Sequence, residues 1–211
     1  MSVKLDHILL GAPDLDVGSA QFEALTGVAP ATGGTHPGHA TRNRLVSIGP
    51  DAFFEVIAPD PAQTAARGSR SEMIAALPHP AIITFAIQTT DIEALSAKAK
   101  AAGLTVAARM PMNRTRPDGV RLDWTIIRLS HPAFGEVIIP FAIDWQGSPH
   151  PSTTSPGGCK LQRLIVLHPQ ATELRRIYAE IGLDVAVRGG LQPGFIAELA
   201  TPKGDVSFIG R

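Results

Sequence analysis

The sequence has only one cysteine, Cys159, among its 211 residues. A single cysteine cannot form a disulfide within the chain, and this one stands outside any Cys/His cluster of the kind that binds zinc. Such sparing use of cysteine is typical of a reducing compartment. We therefore predict a cytoplasmic protein.

Net charge is also lacking, since 19 Lys and Arg balance 19 Asp and Glu. A balanced charge disfavours broad electrostatic attraction to nucleic acid or to anionic lipid. The N-terminal residues lack the basic region, apolar core and cleavage site of a secretory signal, and no apolar run is long enough to span a bilayer. We predict neither nucleic acid nor membrane as a partner.

Motifs for two common chemistries are missing as well. The glycine pairs at 33–34 and 189–190 lack the strand–loop–helix context of a phosphate-binding loop. No serine lies in a nucleophile elbow, and Cys159 has no framework that would activate it. The sequence therefore predicts no nucleotide cofactor and no serine or cysteine nucleophile.

What the chain does contain is one pattern that recurs three times: an apolar strand, an acidic or amide residue, a helical stripe and a glycine. The strands are predicted at residues 5–12, 82–89 and 161–168. The apolar helix positions that follow are spaced i, i+3, i+7, i+10, which is one face of an α-helix. Gly27, Gly103 and Gly182 end the three helices, and we predict a left-handed conformation at each.

Short β-like runs follow each helix, so the repeat predicts an α+β fold rather than a doubly wound one. We expect a domain at residues 1–146, made of two units at about 4–60 and 81–145, and a third unit at 156–211. Segments 33–41 and 110–119 are predicted as loops, 59–80 as a linker with a short helix, and 136–142 as the last strand of the second unit.

Four segments carry a family resemblance: LDHILLGAPDLD, THPGHATRNRL, AFFEVIAPDP and PFAIDWQGSPHPS. Together they resemble the glyoxalase-like domain branch of the vicinal-oxygen-chelate superfamily, over about residues 4–152. The third repeat extends this resemblance to the end of the chain. It implies βαβββ units whose paired sheets curl into a cupped site.

In metal-dependent members of that superfamily, a unit can give one ligand from its first strand and one from its last. His7 and Glu55 match this pattern, and they would hold Zn²⁺, Mn²⁺ or Fe²⁺ while Glu55 or a bound water moves a proton. The repeat places Thr84 where His7 stands in the first unit, so a second ligand pair is not visible. Either an off-pattern residue such as His39 or His150 completes the site, or there is no ion.

Other residues are candidates for binding the substrate. Strand alternation puts Arg42 on one face and Asn43 on the other, and one of these faces should look into the cup. An arginine there could bind a carboxylate or phosphate, whereas an arginine outside would cover a solvated edge. Asn43 suits a buried polar role, Trp124 could line an apolar pocket, and His39 and His150 lie in segments that could border the cup.

Two functions stay open at this point. The first is a lyase, isomerase or dioxygenase-type enzyme that acts on a small oxygen-rich molecule with the help of a divalent ion. The second is a metal-free protein that binds or sequesters a small apolar or amphipathic ligand. Because one scaffold hosts many chemistries, the resemblance alone does not choose between them.

The odd number of units leads to a prediction about assembly. Cupped sheets form from two units, so a third would leave strand edges and an apolar face exposed, which proteins in water avoid. We therefore predict a homodimer in which the second chain covers that face. The linkers at 59–80 and 147–158 are the alternative cover, but their composition is poor in apolar side chains.

Overall fold

The computed structural model describes residues 3–116 and 118–210. In chain order the elements are β1 (Lys4–Gly11), α1 (Leu15–Thr26), β2 (Ala31–His36), β3 (Thr41–Gly49), β4 (Ala52–Pro59), α2 (Arg70–Ala75), β5 (Ala81–Gln88), α3 (Ile92–Ala101), β6 (Thr105–Val106), β7 (Met110–Thr115), β8 (Arg121–Ile127), β9 (Leu129–Ser130), β10 (Phe141–Asp144), a 3-10 turn (Pro151–Thr153), β11 (Lys160–His168), α4 (Ala171–Ile181), β12 (Ala186–Gly189), β13 (Gly194–Thr201) and β14 (Gly204–Gly210). No helix among the described residues is long and apolar enough to cross a membrane.

The first two units share one eight-stranded sheet in the order β2-β3-β4-β1-β5-β10-β8-β7. The first strands of the units, β1 and β5, pair antiparallel at its centre, and each has the last strand of its own unit beside it in parallel. The sheet curls until its outer strands β2 and β7 approach each other. Arg114 of β7 donates a hydrogen bond to the carbonyl of Gly33 in β2, which holds the cup nearly closed.

Capping residues fix where the helices begin and end. Asp14 and Asp91 each accept a hydrogen bond from a backbone N–H of the first turn, at 2.9 Å, in α1 and α3. The predicted left-handed glycines are confirmed, since φ is +78° at Gly27, +87° at Gly103 and +79° at Gly182. The three repeats therefore have the register that the sequence predicted.

Two apolar layers lie on the two faces of the large sheet. The concave face carries a small cluster that includes Leu9, Trp124, Ile126 and Phe141. The convex face belongs to a larger cluster that also takes in α1, α3, α4 and the third unit. The concave cluster lines the interior of the cup, and the convex cluster forms the main core.

The third unit covers the convex side instead of standing open. Its own sheet has the order β12-β11-β13-β14, and Phe208 of β14 packs against Phe22 and Phe54 with ring centroids 5.1 and 5.0 Å apart. Tyr178 of α4 donates a hydrogen bond to the carbonyl of Ile138 at 2.5 Å. The expectation that the odd unit leaves its apolar face uncovered within the chain is therefore wrong. This removes the reason for predicting a homodimer, which stays a prediction.

Three boundaries also differ from the sequence predictions. β2 and β7 are strands where loops were expected at 33–41 and 110–119, because edge strands tolerate their glycines and proline. The last strand of the second unit begins at Phe141 and not at 136, since residues 136–140 continue the turn that starts at His131 and form turns and bends. A Cβ on Gly33 would lie 2.2 Å from Asn43 Oδ1, so glycine is needed at this point of β2.

Candidate active site

The cup encloses a cavity of about 280 Å³. The strands of the first unit contribute His7, Asn43 and Glu55 together with apolar side chains, and those of the second unit contribute mainly apolar and aromatic side chains together with Arg114. The segment before α2 and the start of that helix lie over the cavity. Such a cavity, apolar with a few converging polar groups, is the usual form of a small-molecule site.

His7 and Glu55 meet at the floor of this cavity. They lie on the adjacent parallel strands β1 and β4, and both residues are 5% exposed. His7 Nε2 lies 3.5 Å from Glu55 Oε2. The His7 ring stacks on Phe53 at 4.5 Å between centroids and meets the edge of Phe141 at 5.6 Å, which fixes its plane. The structure thus brings together the two residues that the sequence singled out.

Asp6 lies behind His7 and determines which of its nitrogens faces the cavity. Successive strand residues normally point to opposite faces, but the β1–β5 register shifts between Leu5 and His7, and this bulge lets Asp6 reach the imidazole. Asp6 Oδ1 lies 2.5 Å from His7 Nδ1, while Oδ2 accepts a hydrogen bond from Trp145 Nε1 at 2.8 Å and lies 3.2 Å from His150 Nε2.

Asp6 is ionised in this setting. Its complete burial opposes ionisation, but hydrogen bonds to His150 and His7 outweigh that effect and hold the pKa of its carboxyl below the ordinary value. Because a carboxylate only accepts hydrogen bonds, the proton of neutral His7 lies on Nδ1. The lone pair of Nε2 then points to Glu55 and the cavity.

Glu55 is held from its other side. Asn43 Nδ2 donates a hydrogen bond to Glu55 Oε1 at 2.5 Å, and His36 Nε2 lies 3.9 Å from the same oxygen. Burial lowers the pKa of His36, with Glu55 opposing this shift and Arg114 adding to it, so His36 is neutral at neutral pH. His7 Nε2 and the Glu55 carboxyl group therefore face each other at the floor of the cavity.

Cationic side chains also line the cavity, among them Arg114 of β7. Arg70 at the start of α2 lines the cavity, and its guanidinium carbon lies 5.2 Å from the centre of the Phe141 ring. His39 and Arg128 line the same region. Burial lowers the pKa of Arg70, and the nearby Arg128 lowers it further, whereas Glu55 and Glu136 raise it.

The other predicted site residues divide into three groups. Asn43, His39 and Trp124 line the cavity. His150 does not line it and instead contacts Asp6 from behind. Arg42 is wrong as a cavity residue, because the alternation of β3 turns Thr41, Asn43 and Leu45 inward and leaves Arg42 on the opposite face.

Sequence reasoning missed three residues of the site: Asp6, Arg70 and Arg128. Asp6 directly precedes His7, but without the bulge a strand would put the two side chains on opposite faces. Arg70 lies in a segment that reads as a linker, and only the fold brings it over the cup. The one signal for Arg128 in the sequence was its position directly after the strand at residues 121–127.

The donor set does not fit a divalent metal centre. His7 Nε2 and the Glu55 carboxylate are suitable donors, but protein sites for Zn²⁺ or Fe²⁺ take at least three. Among residues 3–116 and 118–210, no three or more His, Cys, Asp or Glu side chains converge on one point that could hold an ion. The second unit instead directs Phe141 and Ile143 into the cavity.

Comparison with known proteins agrees with this architecture. Residues 5–182 match the family model described as a glyoxalase-like domain, and no curated protein sequence matches the chain. A hypothetical protein from Staphylococcus aureus is 18% identical, with a TM-score of 0.65 over 100% of this chain and 86% of that one.

Two enzymes of known structure share the fold at similarly low sequence identity. Methylmalonyl-CoA epimerase in complex with methylmalonyl-CoA and NH₄⁺ is 19% identical, with a TM-score of 0.50 over 72% of this chain and 100% of that one. A triple mutant of 4-hydroxymandelate synthase from Streptomyces coelicolor is 16% identical, with a TM-score of 0.52 over 99% of this chain and 63% of that one. At such identities the likeness shows the fold alone.

Proposed function

The chain belongs to the glyoxalase-like domain family, and from this premise we propose an enzyme that moves a proton on a small oxygen-bearing molecule. The observation that carries the proposal is the pair of His7 and Glu55 at the floor of the cavity, 3.5 Å apart. Buried acid–base pairs with fixed orientation are typical of sites for proton transfer. The reaction class is isomerase or lyase.

The surroundings of the pair suit this chemistry. A C–H bond next to a carbonyl would lie against His7 Nε2 and Glu55. The unprotonated member of the pair takes this proton, and the protonated member gives its own proton to the resulting carbanion. Asp6, hydrogen-bonded to Nδ1, stabilises the imidazolium that forms when Nε2 accepts a proton. Asn43 holds the Glu55 carboxylate in place through the transfer.

Two of the solved structures that share the fold are an epimerase and a synthase, so this scaffold is compatible with either kind of enzyme. The dioxygenase-type hypothesis needs a metal centre, and the donor set of the described residues supplies two of the ligands that such a centre requires. Proton transfer by side chains needs nothing beyond His7 and Glu55, and for that reason we favour it.

A metal-free binding protein is the second candidate. The aromatic and aliphatic wall made by Trp124, Ile126, Phe141 and Ile143 favours it, because such a surface holds an apolar ligand without any chemistry. A binding protein of this kind would have no role for the buried pair of His7 and Glu55 at the floor. A ligand that binds without any exchange of its protons would support the binding protein.

Deuterium exchange tests the proposal directly. 5-Oxohexanoate and 4-phenylbutan-2-one carry hydrogens next to a carbonyl, and NMR in deuterium oxide follows their replacement. We expect the protein to accelerate exchange on at least one of them, and the isosteric variants His7→Gln and Glu55→Gln to lose that acceleration. His79→Gln and Glu93→Gln, both exposed and outside the cavity, are the matched controls. Equal rates in wild type and in both floor variants would contradict proton transfer by this pair.

The homodimer and the cytoplasmic location stay predictions. The third unit covers the convex face within the chain, so a second copy would have to bind another apolar surface. Among the large apolar side chains of the third sheet, Ile209 on the outer face of β14 is the most exposed, at 64%. Light scattering at micromolar concentration decides the matter, since the monomer mass is 22.3 kDa.

A further inference from the structure

We propose that the cavity takes an amphipathic carboxylate whose anionic group is bound at the mouth by Arg70 and Arg128. This inference rests on the proposed function, since it names the substrate class of the same cavity. Exposure defines the mouth: the Arg128 side chain is 42% exposed, and Arg70 and His39 are half-buried, whereas the His7 and Glu55 side chains are 7% and 6% exposed. A ligand that enters therefore meets the arginines before it reaches the acid–base pair.

Positive charge at the mouth is incompletely balanced. Arg70 has no carboxylate within 4.0 Å among the described residues, and its guanidinium lies over the Phe141 ring instead. Arg128 lies 3.7 Å from Glu136, and its buried Nε has no hydrogen-bond partner. A buried N–H donor without a partner is costly, so a ligand oxygen there would be favourable.

The titration of the neighbouring histidine agrees with this charge pattern. Burial lowers the pKa of His39, and the positive charges of Arg128 and Arg70 lower it further. All three groups therefore lie close enough to repel one another. A bound carboxylate would relieve this repulsion and could accept the forked hydrogen bonds that a guanidinium offers.

The floor has the opposite charge, which fixes the direction of the ligand. Asp6 is ionised and Glu55 is a second acidic side chain, whereas Arg114 near them already donates a hydrogen bond to the carbonyl of Gly33, so an anion placed at the floor is disfavoured. Between the floor and the mouth lies the apolar wall with Trp124 and Ile126. The ligand that fits is anionic at one end, apolar in the middle and uncharged at the reacting end.

The size of the cavity limits the ligand further. A volume of about 280 Å³ lies just below the range of pockets for drug-sized molecules. A chain or ring of a few carbons between the carboxylate and the reacting carbonyl fills it. We therefore expect a small aromatic or branched aliphatic acid.

A pair of matched probes tests this assignment. 3-Phenylpropanoate and 3-phenylpropanamide have the same shape and differ in charge. Both tryptophans of the chain, Trp124 and Trp145, line the cavity, so intrinsic fluorescence reports entry of either probe, and calorimetry gives the affinity. We expect the acid to bind at least about tenfold more tightly than the amide, since hydrogen bonds to charged groups are worth that much.

Variants assign the preference to the arginines. Arg70→Gln should weaken the acid by roughly tenfold and leave the amide unchanged, and Arg128→Gln should act in the same direction. Arg70→Lys, which keeps the charge, should restore part of the difference. Arg109→Gln is the control, because Arg109 pairs with Glu93 on α3 outside the cavity. Thermal unfolding establishes that each variant is folded.

The outcomes separate this inference from the proposed function. Equal affinity for acid and amide, no binding of the acid at millimolar concentration, or a preference that survives both arginine variants would overturn it. If deuterium exchange is nonetheless catalysed, proton transfer stands without the carboxylate assignment. If Arg70 governs binding of the acid but His7→Gln and Glu55→Gln leave exchange unchanged, the carboxylate site stands and proton transfer falls.

Discussion

The two units that form the cup have the same topology and opposite chemistry. The first unit turns His7 and Glu55 into the cavity, with Asn43 beside them, whereas the second unit contributes mainly apolar and aromatic side chains such as Trp124 and Phe141. Each unit places its first strand at the centre of the sheet and its last strand beside it. The repeat therefore specifies where side chains can meet, and the residue types decide what each wall does.

The central strands make the contrast clearest. At the position in β5 where the repeat matches His7 stands Thr84, whose hydroxyl donates a hydrogen bond to the carbonyl of Val137 at 2.9 Å. The candidate acid–base residue His7 in the first unit thus corresponds to a structural residue in the second. Under the proposed function, the first wall supplies the acid–base pair and the second supplies most of the surface against which a ligand lies.

The largest expected effect on this contrast comes from a variant that removes one member of the acid–base pair from the first unit. Glu55→Gln keeps the shape of the side chain and removes the carboxylate, and we expect about 10²–10⁴-fold slower deuterium exchange, the usual contribution of one acid–base group. Binding of 3-phenylpropanoate should persist, because the apolar wall and the arginines are intact. NMR and calorimetry measure the two quantities on the same sample. A fall in both would assign Glu55 to binding as well as to proton transfer.

The next largest effect should come from Asp6. Asp6→Asn removes a buried carboxylate that contacts His7, Trp145 and His150, and breaking such a buried network costs about 3 kcal/mol of unfolding free energy. Urea unfolding at pH 7 measures this loss. Ser71→Ala, which removes a single buried hydroxyl hydrogen bond, is a control for loss of one neutral contact.

The same carboxylate gives the wild type a pH dependence. The fold lowers the pKa of Asp6 below its ordinary 3.8, so the stabilisation that it contributes is present above that value and is lost as pH falls through the folded-state pKa. The stability of the wild type should therefore fall more steeply than that of Asp6→Asn below about pH 4. Parallel curves for the two proteins would contradict a lowered pKa at Asp6.

A smaller effect is expected where the polar wall meets the closing strand. Gly33→Ala puts a Cβ 2.2 Å from Asn43 Oδ1, and overpacking of this kind costs about 1–3 kcal/mol. Exchange should slow as well, because Asn43 orients Glu55. Gly49→Ala is the matched control, with no atom within 4 Å of the new Cβ and no positive φ. Equal stability of the two variants would show that β2 moves to accommodate the methyl group.

The smallest effect should come from Thr84. Thr84→Val removes one hydrogen bond and should lower the unfolding free energy by about 1 kcal/mol, as a neutral buried bond does. We expect no change in deuterium exchange. A slower exchange would mean that the second unit takes part in the chemistry, and the division of labour between the walls would fail.

Local patterns explain why much of the fold could be predicted. Helical stripes, the capping residue Asp91 and the terminal glycines act within a few residues, so they can be read directly from the chain. His7 and Glu55 were found because strands give fixed directions and the family resemblance marks both positions. The carboxylate of Asp6 was missed because the bulge that turns it towards His7 depends on the pairing of β1 with β5.

Features that depend on distant contacts could not be predicted in the same way. β2 and β7 are strands because they pair with β3 and β8, whereas the glycines of the first segment and the basic composition of the second suggested loops. Arg70 reaches the cavity because the segment between the units folds over the cup. The packing of the third unit on the convex side likewise depends on contacts between residues more than a hundred positions apart, such as Phe54 and Phe208.

The cluster of Phe22, Phe54 and Phe208 has a consequence for how the chain unfolds. These rings belong to the first helix, a central strand and the last strand, and their centroids lie 5.0–5.3 Å apart. The residues before and after position 146 therefore share one hydrophobic core. A protein that ended at 146 would expose the aromatic faces that Phe208 covers in the full chain. We expect a single cooperative unfolding transition for the full chain.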